Sequence, residues 1–137
     1  MTPLDRTDLI NRILRGPSVK LVPSSIAGAG VGVVTLTEIR SGQVVFAPRH
    51  NHFVRWSELA GLPDSVTGYV KQICNHDAEG FHLDCHLNEV GAAYFVNHSL
   101  KPNLTHDRGS DVYYAARDIR IGEELTCVYD PDEIDWV

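Results

Sequence analysis

With 137 residues, 43% apolar and 22% charged, the chain has the make-up of one folded domain with its own core, which excludes wholesale disorder. A formal net charge of −6 with twelve scattered Lys and Arg argues against direct nucleic-acid binding and favours a basic partner. Apolar runs fall short of the roughly 18 residues of a membrane span, and the odd, irregular set Cys74, Cys85 and Cys127 suits a reducing compartment, so an intracellular protein (cytoplasmic or nuclear) with no membrane partner is expected.

Thr2, Pro3 and Asp5 read as a helix start, and Leu9, Ile10, Ile13 and Leu14 fall on one helical face before Gly16 stops it. That apolar face is compatible with self-association as a homodimer. From Val19 onward, β-branched runs punctuated by Gly and Pro predict strands over 19–22, 31–36, 43–47, 81–85, 111–116 and 125–129. Between them, Val66, Tyr69, Val70 and Ile73 recur at helical spacing after Pro63 and predict one middle helix. The expected fold class is mainly β with a few short helices. Glu38-Ile39-Arg40-Ser41-Gly42-Gln43 is echoed by Asp118-Ile119-Arg120-Ile121-Gly122-Glu123. The echo is too short for a solenoid repeat and reads as one turn used twice.

Gly28, Gly30 and Gly32 lead into a strand. A dinucleotide fingerprint needs the opposite order, strand then helix, so that reading fails; close backbone approach to a ligand and a simple bulge or hairpin entry both stay open. Asn97 and His98 offer donors and acceptors to a polar ligand, or form a satisfied polar turn with Ser99, Pro102 and Asn103. Tyr129, at a strand end, either brings its hydroxyl to a cleft or packs as a core aromatic. Trp136 folds over a ligand or caps the core. Cys74, His76, His82, Cys85 and His86 match no regular zinc spacing, although His82, Asp84 and His86 would share one face of a strand.

Taken in order, Gly28-Ala29-Gly30-Val31-Gly32-Val33, then Asn97-His98-Ser99 with Pro102-Asn103, then Gly122-Glu123-Glu124-Leu125-Thr126 with Tyr129-Asp130, resemble a SET domain, the fold of many protein lysine methyltransferases. The resemblance covers about residues 18–130. It implies a β-clip type fold with pseudoknot-like threading of the C-terminal segment. The whole of 1–137 then forms a single SET domain: an N-terminal helix (1–17), the core (18–130) and a tail (131–137) without a cysteine-rich module. It further implies S-adenosylmethionine as methyl donor, no metal, and a lysine of a basic protein, histone-like or ribosomal, as acceptor. Gly28, Ala29, Gly30 and Val31 would contact the donor through backbone groups, and Asn97 and His98 would hold its adenine and amino-acid portions. Phe81, Tyr94 and Trp136 complete the expected donor site, Tyr129 is the catalytic tyrosine, and Tyr113, Tyr114 and Cys127 line the lysine channel.

Methyl transfer from a sulfonium to an amine is an in-line displacement that chiefly requires alignment. The acceptor lysine must first lose its proton, which from a pKa near 10.4 costs roughly 4–5 kcal/mol at pH 7 and becomes easier in a desolvating channel. Three positions depart from the common pattern. Tyr94 stands where many members have Arg, Pro48 where many have a channel Tyr, and Cys127 where Phe or Tyr often limits the number of methyl groups. The last predicts products beyond monomethyl-lysine. The competing expectation is a non-catalytic SET-like module that binds a peptide, and a third is an unrelated β-rich metal-binding protein.

Overall fold

Asp5 caps the first helix, α1 (Arg6–Arg15), by accepting the Asp8 amide at 2.8 Å, and Gly16 ends it with a backbone bond to the Arg12 carbonyl at 3.0 Å. In the computed structural model, which describes residues 5–47 and 52–129, none of the residues of this helix is buried. Leu14 is 77% exposed and Ile13 70%, so the amphipathic pattern is real while its apolar face stays largely uncovered among the described residues.

The rest is mainly β. Strands β1 (Val19–Pro23) and β2 (Val31–Thr35) form an antiparallel hairpin. Strands β3 (Val44–Phe46), β7 (Leu104–Asp107) and β8 (Val112–Ala115) make a sheet in the order β3-β8-β7. Strands β4 (His52–Arg55) and β5 (Gly80–Leu83) pair antiparallel, and the short β6 (Asn97–His98) and β9 (Thr126–Cys127) pair in parallel. The middle helix, α2 (Asp64–Ile73), begins after Pro63, which is its N-cap and not a member of its first turn. β5 ends at Leu83, so Asp84 and His86 do not extend the strand face expected for them; His86 instead caps a short 3-10 turn over Leu87–Glu89.

Two cores result. The larger gathers Val33, Ile39, Val96, Leu104, Ala115, Ile119, Leu125 and Cys127, and the smaller gathers Val70, Cys74 and Phe81 between α2 and β5. The duplicated turn holds the larger core together. Ile39 and Ile119, each 1% exposed, bond to one another through both amides, at 3.0 and 2.8 Å. Each turn then closes alike, Gln43 N on Arg40 O at 3.0 Å and Glu123 N on Arg120 O at 3.1 Å. The echo in the sequence is therefore one turn paired against its own copy.

Asn103, 3% exposed, does more than shape a loop. Its Nδ2 donates to the Glu124 carbonyl and its Oδ1 accepts the Thr126 amide, both at 2.9 Å, so a buried amide serves β9 as a neighbouring strand would. No helix among the described residues is long and apolar enough to cross a membrane.

Candidate active site

The parallel pairing of β6 with β9 sets Asn97 opposite Thr126 and His98 opposite Cys127. Tyr129 follows at once: its amide donates to His98 Nδ1 at 2.9 Å, its ring lies 5.2 Å from the imidazole, and its hydroxyl donates to the Val96 carbonyl at 2.6 Å. That bond commits the phenolic proton to the Val96 carbonyl.

On the other side of Asn97 is the turn that carries the glycines. Gly28 and Gly30 hold φ of 77° and 74°, conformations that a β-carbon would strain, and the turn closes through Ser24 N on Gly30 O at 2.7 Å. The Asn97 amide nitrogen donates to Val31 O at 2.9 Å and lies 3.2 Å from both Ser24 Oγ and Glu124 Oε2. A cavity of about 640 Å³ opens here, lined among others by Ala29, Val31, Tyr94, Asn97, Tyr113 and Tyr129. A neighbouring cavity of about 450 Å³ shares Ile73, Asn75, Ala93, Tyr94 and Tyr113 with it, and adds Asp84, Glu89 and Asp111.

A family model for the SET domain matches residues 30–130. The chain belongs to the SET-domain family. Among solved structures, this SET domain is similar to the Chaetomium thermophilum polycomb repressive complex 2, with a TM-score of 0.62 at 18% identity over 85% of this chain and 16% of that one. It is also similar to a polycomb repressive complex 2 in an autoinhibited conformation bound to S-adenosylmethionine, with a TM-score of 0.57 at 18% identity over 85% of this chain. The domain spans only 15% of the length of that second chain. A search of curated proteins returns no match. The mainly β expectation for the fold holds, whereas the pairing of β6 with β9 does not by itself establish pseudoknot-like threading.

The SET domain brings Ala29, Val31, Tyr94, Asn97, Tyr113 and Tyr129 onto one cavity, with His98 held behind Tyr129. Other predicted residues lie elsewhere. Gly28 and Gly30 form the turn without lining either cavity. Phe81, 2% exposed, sits in the smaller core with its ring 5.0 Å from Trp56. Cys127, 4% exposed, belongs to the larger core and lines neither cavity. Tyr114 precedes Ala115 on β8 and lines neither cavity, since successive residues point to opposite faces. Trp136, Asp130 and Pro48 lie outside the described residues.

Tyr94 is committed elsewhere: its hydroxyl donates to Asp84 Oδ1 and accepts the Asp84 amide at 3.2 Å. Burial, reinforced by that carboxylate, pushes its ionisation well above the ordinary range, so it stays a neutral phenol. Burial likewise pushes the Cys74 thiol up to about 12, with Cys85, Asp111 and Asp84 adding to it, which removes Cys74 as a nucleophile at neutral pH. No group of three or more His, Cys, Asp or Glu among the described residues is placed to hold a metal ion.

A second network, with no motif of its own in the sequence, stands on the shared wall. Asp111 accepts His106 Nε2 at 2.6 Å and Asn75 Nδ2 at 2.8 Å, and His106 stacks on Tyr113 at 4.3 Å. Asp111 has a φ of 56°, a left-handed conformation that among non-glycine residues Asp and Asn adopt most readily, and through His106 it buttresses the Tyr113 wall. No short-range signal marks it, because its partners come from α2's exit and from β7.

Glu124 was also unassigned. Desolvation pushes its carboxyl up, and hydrogen bonds from Ser25, Asn97 and Ser24 more than offset this, holding it below the ordinary carboxylate range. A depressed folded pKa means that the stability contributed by this group is complete above its unfolded value of about 4.3 and is lost as pH falls through the folded value. Acid titration of the urea midpoint should therefore show a loss below about pH 4.3 that is smaller in Glu124→Gln. An identical acid limb in both proteins would contradict it.

Proposed function

We propose that this SET domain transfers methyl groups from S-adenosylmethionine to lysine side chains of a basic protein. The observation that carries the reading is the convergence of Ala29, Val31, Asn97 and Tyr129 on one cavity, from three segments far apart in the chain. Its volume of about 640 Å³ lies within the usual range of cofactor pockets, and its wall mixes apolar residues such as Ala29, Val31 and Phe95 with polar ones such as Lys71, Gln72 and Asn97. These residues fit the donor: the glycine-rich turn supplies backbone groups, and Asn97 an amide whose oxygen has no partner among the described residues. When bound, S-adenosylmethionine supplies a methyl group on a sulfonium, electrophilic without any metal.

The acceptor lysine enters through the adjoining cavity, where Asp84, Glu89 and Asp111 attract an ammonium. Tyr94 and Tyr113 line both cavities, and the desolvation their rings impose on a lysine between them favours the neutral amine. The Tyr129 oxygen, its own proton committed to Val96, accepts an N–H of that amine and aims the lone pair. The net charge of −6 favours the approach of Lys- and Arg-rich segments.

The competing reading, a peptide-binding module without turnover, draws on Tyr94, which replaces a cationic donor contact and has its hydroxyl occupied by Asp84. Calorimetric titration with S-adenosylmethionine and its demethylated product, followed by mass spectrometry of mixed basic proteins, separates the two. Donor binding with lysine methylation supports the enzyme. Peptide binding without donor binding supports the module. With Cys127 turned into the core, no ring from that position narrows the acceptor site, so di- or trimethyl-lysine is expected. Monomethyl-lysine alone at saturating enzyme and donor would count against it.

A further inference from the structure

We infer that Glu124 is the positioning residue that sets the glycine-rich turn and the Asn97 amide for binding the methyl donor. The inference rests on the methyltransferase reading and deepens it.

The carboxylate of Glu124 joins three parts of the chain. Ser24 Oγ donates to its two oxygens at 2.9 and 3.1 Å, and Ser25 donates to Oε1 from both its amide and its hydroxyl, each at 2.9 Å. Asn97 Nδ2 approaches Oε2 at 3.2 Å. The backbone of Glu124 is itself anchored, by a bridge to Val34 and by the Asn103 amide on its carbonyl. The carboxylate is thus an anchored acceptor to which the start of the turn and Asn97 are tied.

The carboxylate keeps this place because position 32 is glycine. A β-carbon there would stand 2.7 Å from Glu124 Oε2 and 2.9 Å from Cδ. This gives Gly32 a role distinct from that of Gly28 and Gly30: it admits the carboxylate beneath the strand.

The consequence for Asn97 is directional. Val31 O, Ser24 Oγ and Glu124 Oε2 all surround its nitrogen, so the amide group is held NH₂ toward the turn. Ser24 Oγ is also fixed, since it accepts the Ile26 amide at 3.0 Å. A carboxylate can take all of these donors at once, being acceptor-only. A glutamine of the same shape turns one acceptor into an NH₂ facing donors. The turn and the Asn97 amide then lose a charge-assisted anchor while Tyr129 and the acceptor cavity are untouched.

The test compares the wild-type chain with Glu124→Gln and Ser25→Ala, using calorimetric titration with S-adenosylmethionine, steady-state kinetics, and amide hydrogen exchange at 24–30. Ser25 is exposed, so its truncation leaves the fold intact. In Glu124→Gln the donor Kd and KM are expected to rise roughly tenfold with kcat within about twofold, and exchange at Ser25 to accelerate. In Ser25→Ala a rise of about two- to threefold is expected. A folded Glu124→Gln with unchanged donor affinity, or with kcat lowered and KM unchanged, overturns the inference alone. If Glu124→Gln does not fold, unchanged donor affinity in Ser25→Ala overturns it and the two- to threefold rise supports it. A wild-type chain that binds no donor overturns the methyltransferase reading and this inference with it.

Discussion

Tyr129→Phe is expected to abolish most turnover, by about 10²-fold or more, while donor affinity stays within about twofold of the wild type. The substitution removes one oxygen and keeps the ring, so packing against the His98 imidazole at 5.2 Å survives, as does the bond from the Tyr129 amide to His98 Nδ1. What is lost is the hydroxyl that donates to Val96 O at 2.6 Å and, on the proposed reaction, accepts from the lysine amine. The Val96 carbonyl loses one partner, which costs about 1 kcal/mol of stability, too little to unfold a domain of 5–15 kcal/mol. Single-turnover kinetics with donor binding measured on the same preparation separates the effects. Full turnover in the variant would remove Tyr129 from the chemistry.

Phe81→Ala is expected to lose about 3–5 kcal/mol of stability and to leave the donor affinity of the folded protein unchanged. Phe81 is 2% exposed and packs with Val70, Cys74 and Trp56 where α2 meets β4 and β5. Truncating the ring opens a cavity in the smaller core, and the adjacent Gly80 has no room for a side chain to fill it, since a β-carbon there would stand 2.1 Å from the Val54 carbonyl oxygen. A loss of this size is a large part of a domain's total stability and would lower Tm by roughly 10–20 °C. Chemical denaturation should show a reduced midpoint with an unchanged slope. Normal stability with weakened donor binding would instead return Phe81 to the donor site expected from the sequence.

Residues whose neighbours lie close along the chain were readable in advance. Asp5 and Gly16 bracket α1 because capping is decided within one turn, and the β-branched runs became β1, β2, β3, β5 and β8. The strand expected over 125–129 shrinks to Thr126–Cys127, and three others carried no usable pattern. β6 is two residues long, β4 and β7 mix His, Arg and Asp with apolar residues, and such segments become strands only through their partners.

The order of the glycine turn, Asn97-His98 and Tyr129 along the chain pointed to the family, and the folded arrangement brings these parts together as a local pattern could not specify. By itself the sequence determined the mainly β class, the caps of α1, the duplicated turn and which polar residues were available for chemistry, since each follows from propensity, capping or composition over a few residues. Only the tertiary structure decided that β6 and β9 run parallel, that Phe81 and Cys127 turn inward, that Tyr94 is occupied by Asp84, and that Glu124 lies under Gly32 against Ser24, Ser25 and Asn97. These depend on register and on which face is buried. Both are set by long-range packing, and a shift of one residue would reverse every side chain of a strand.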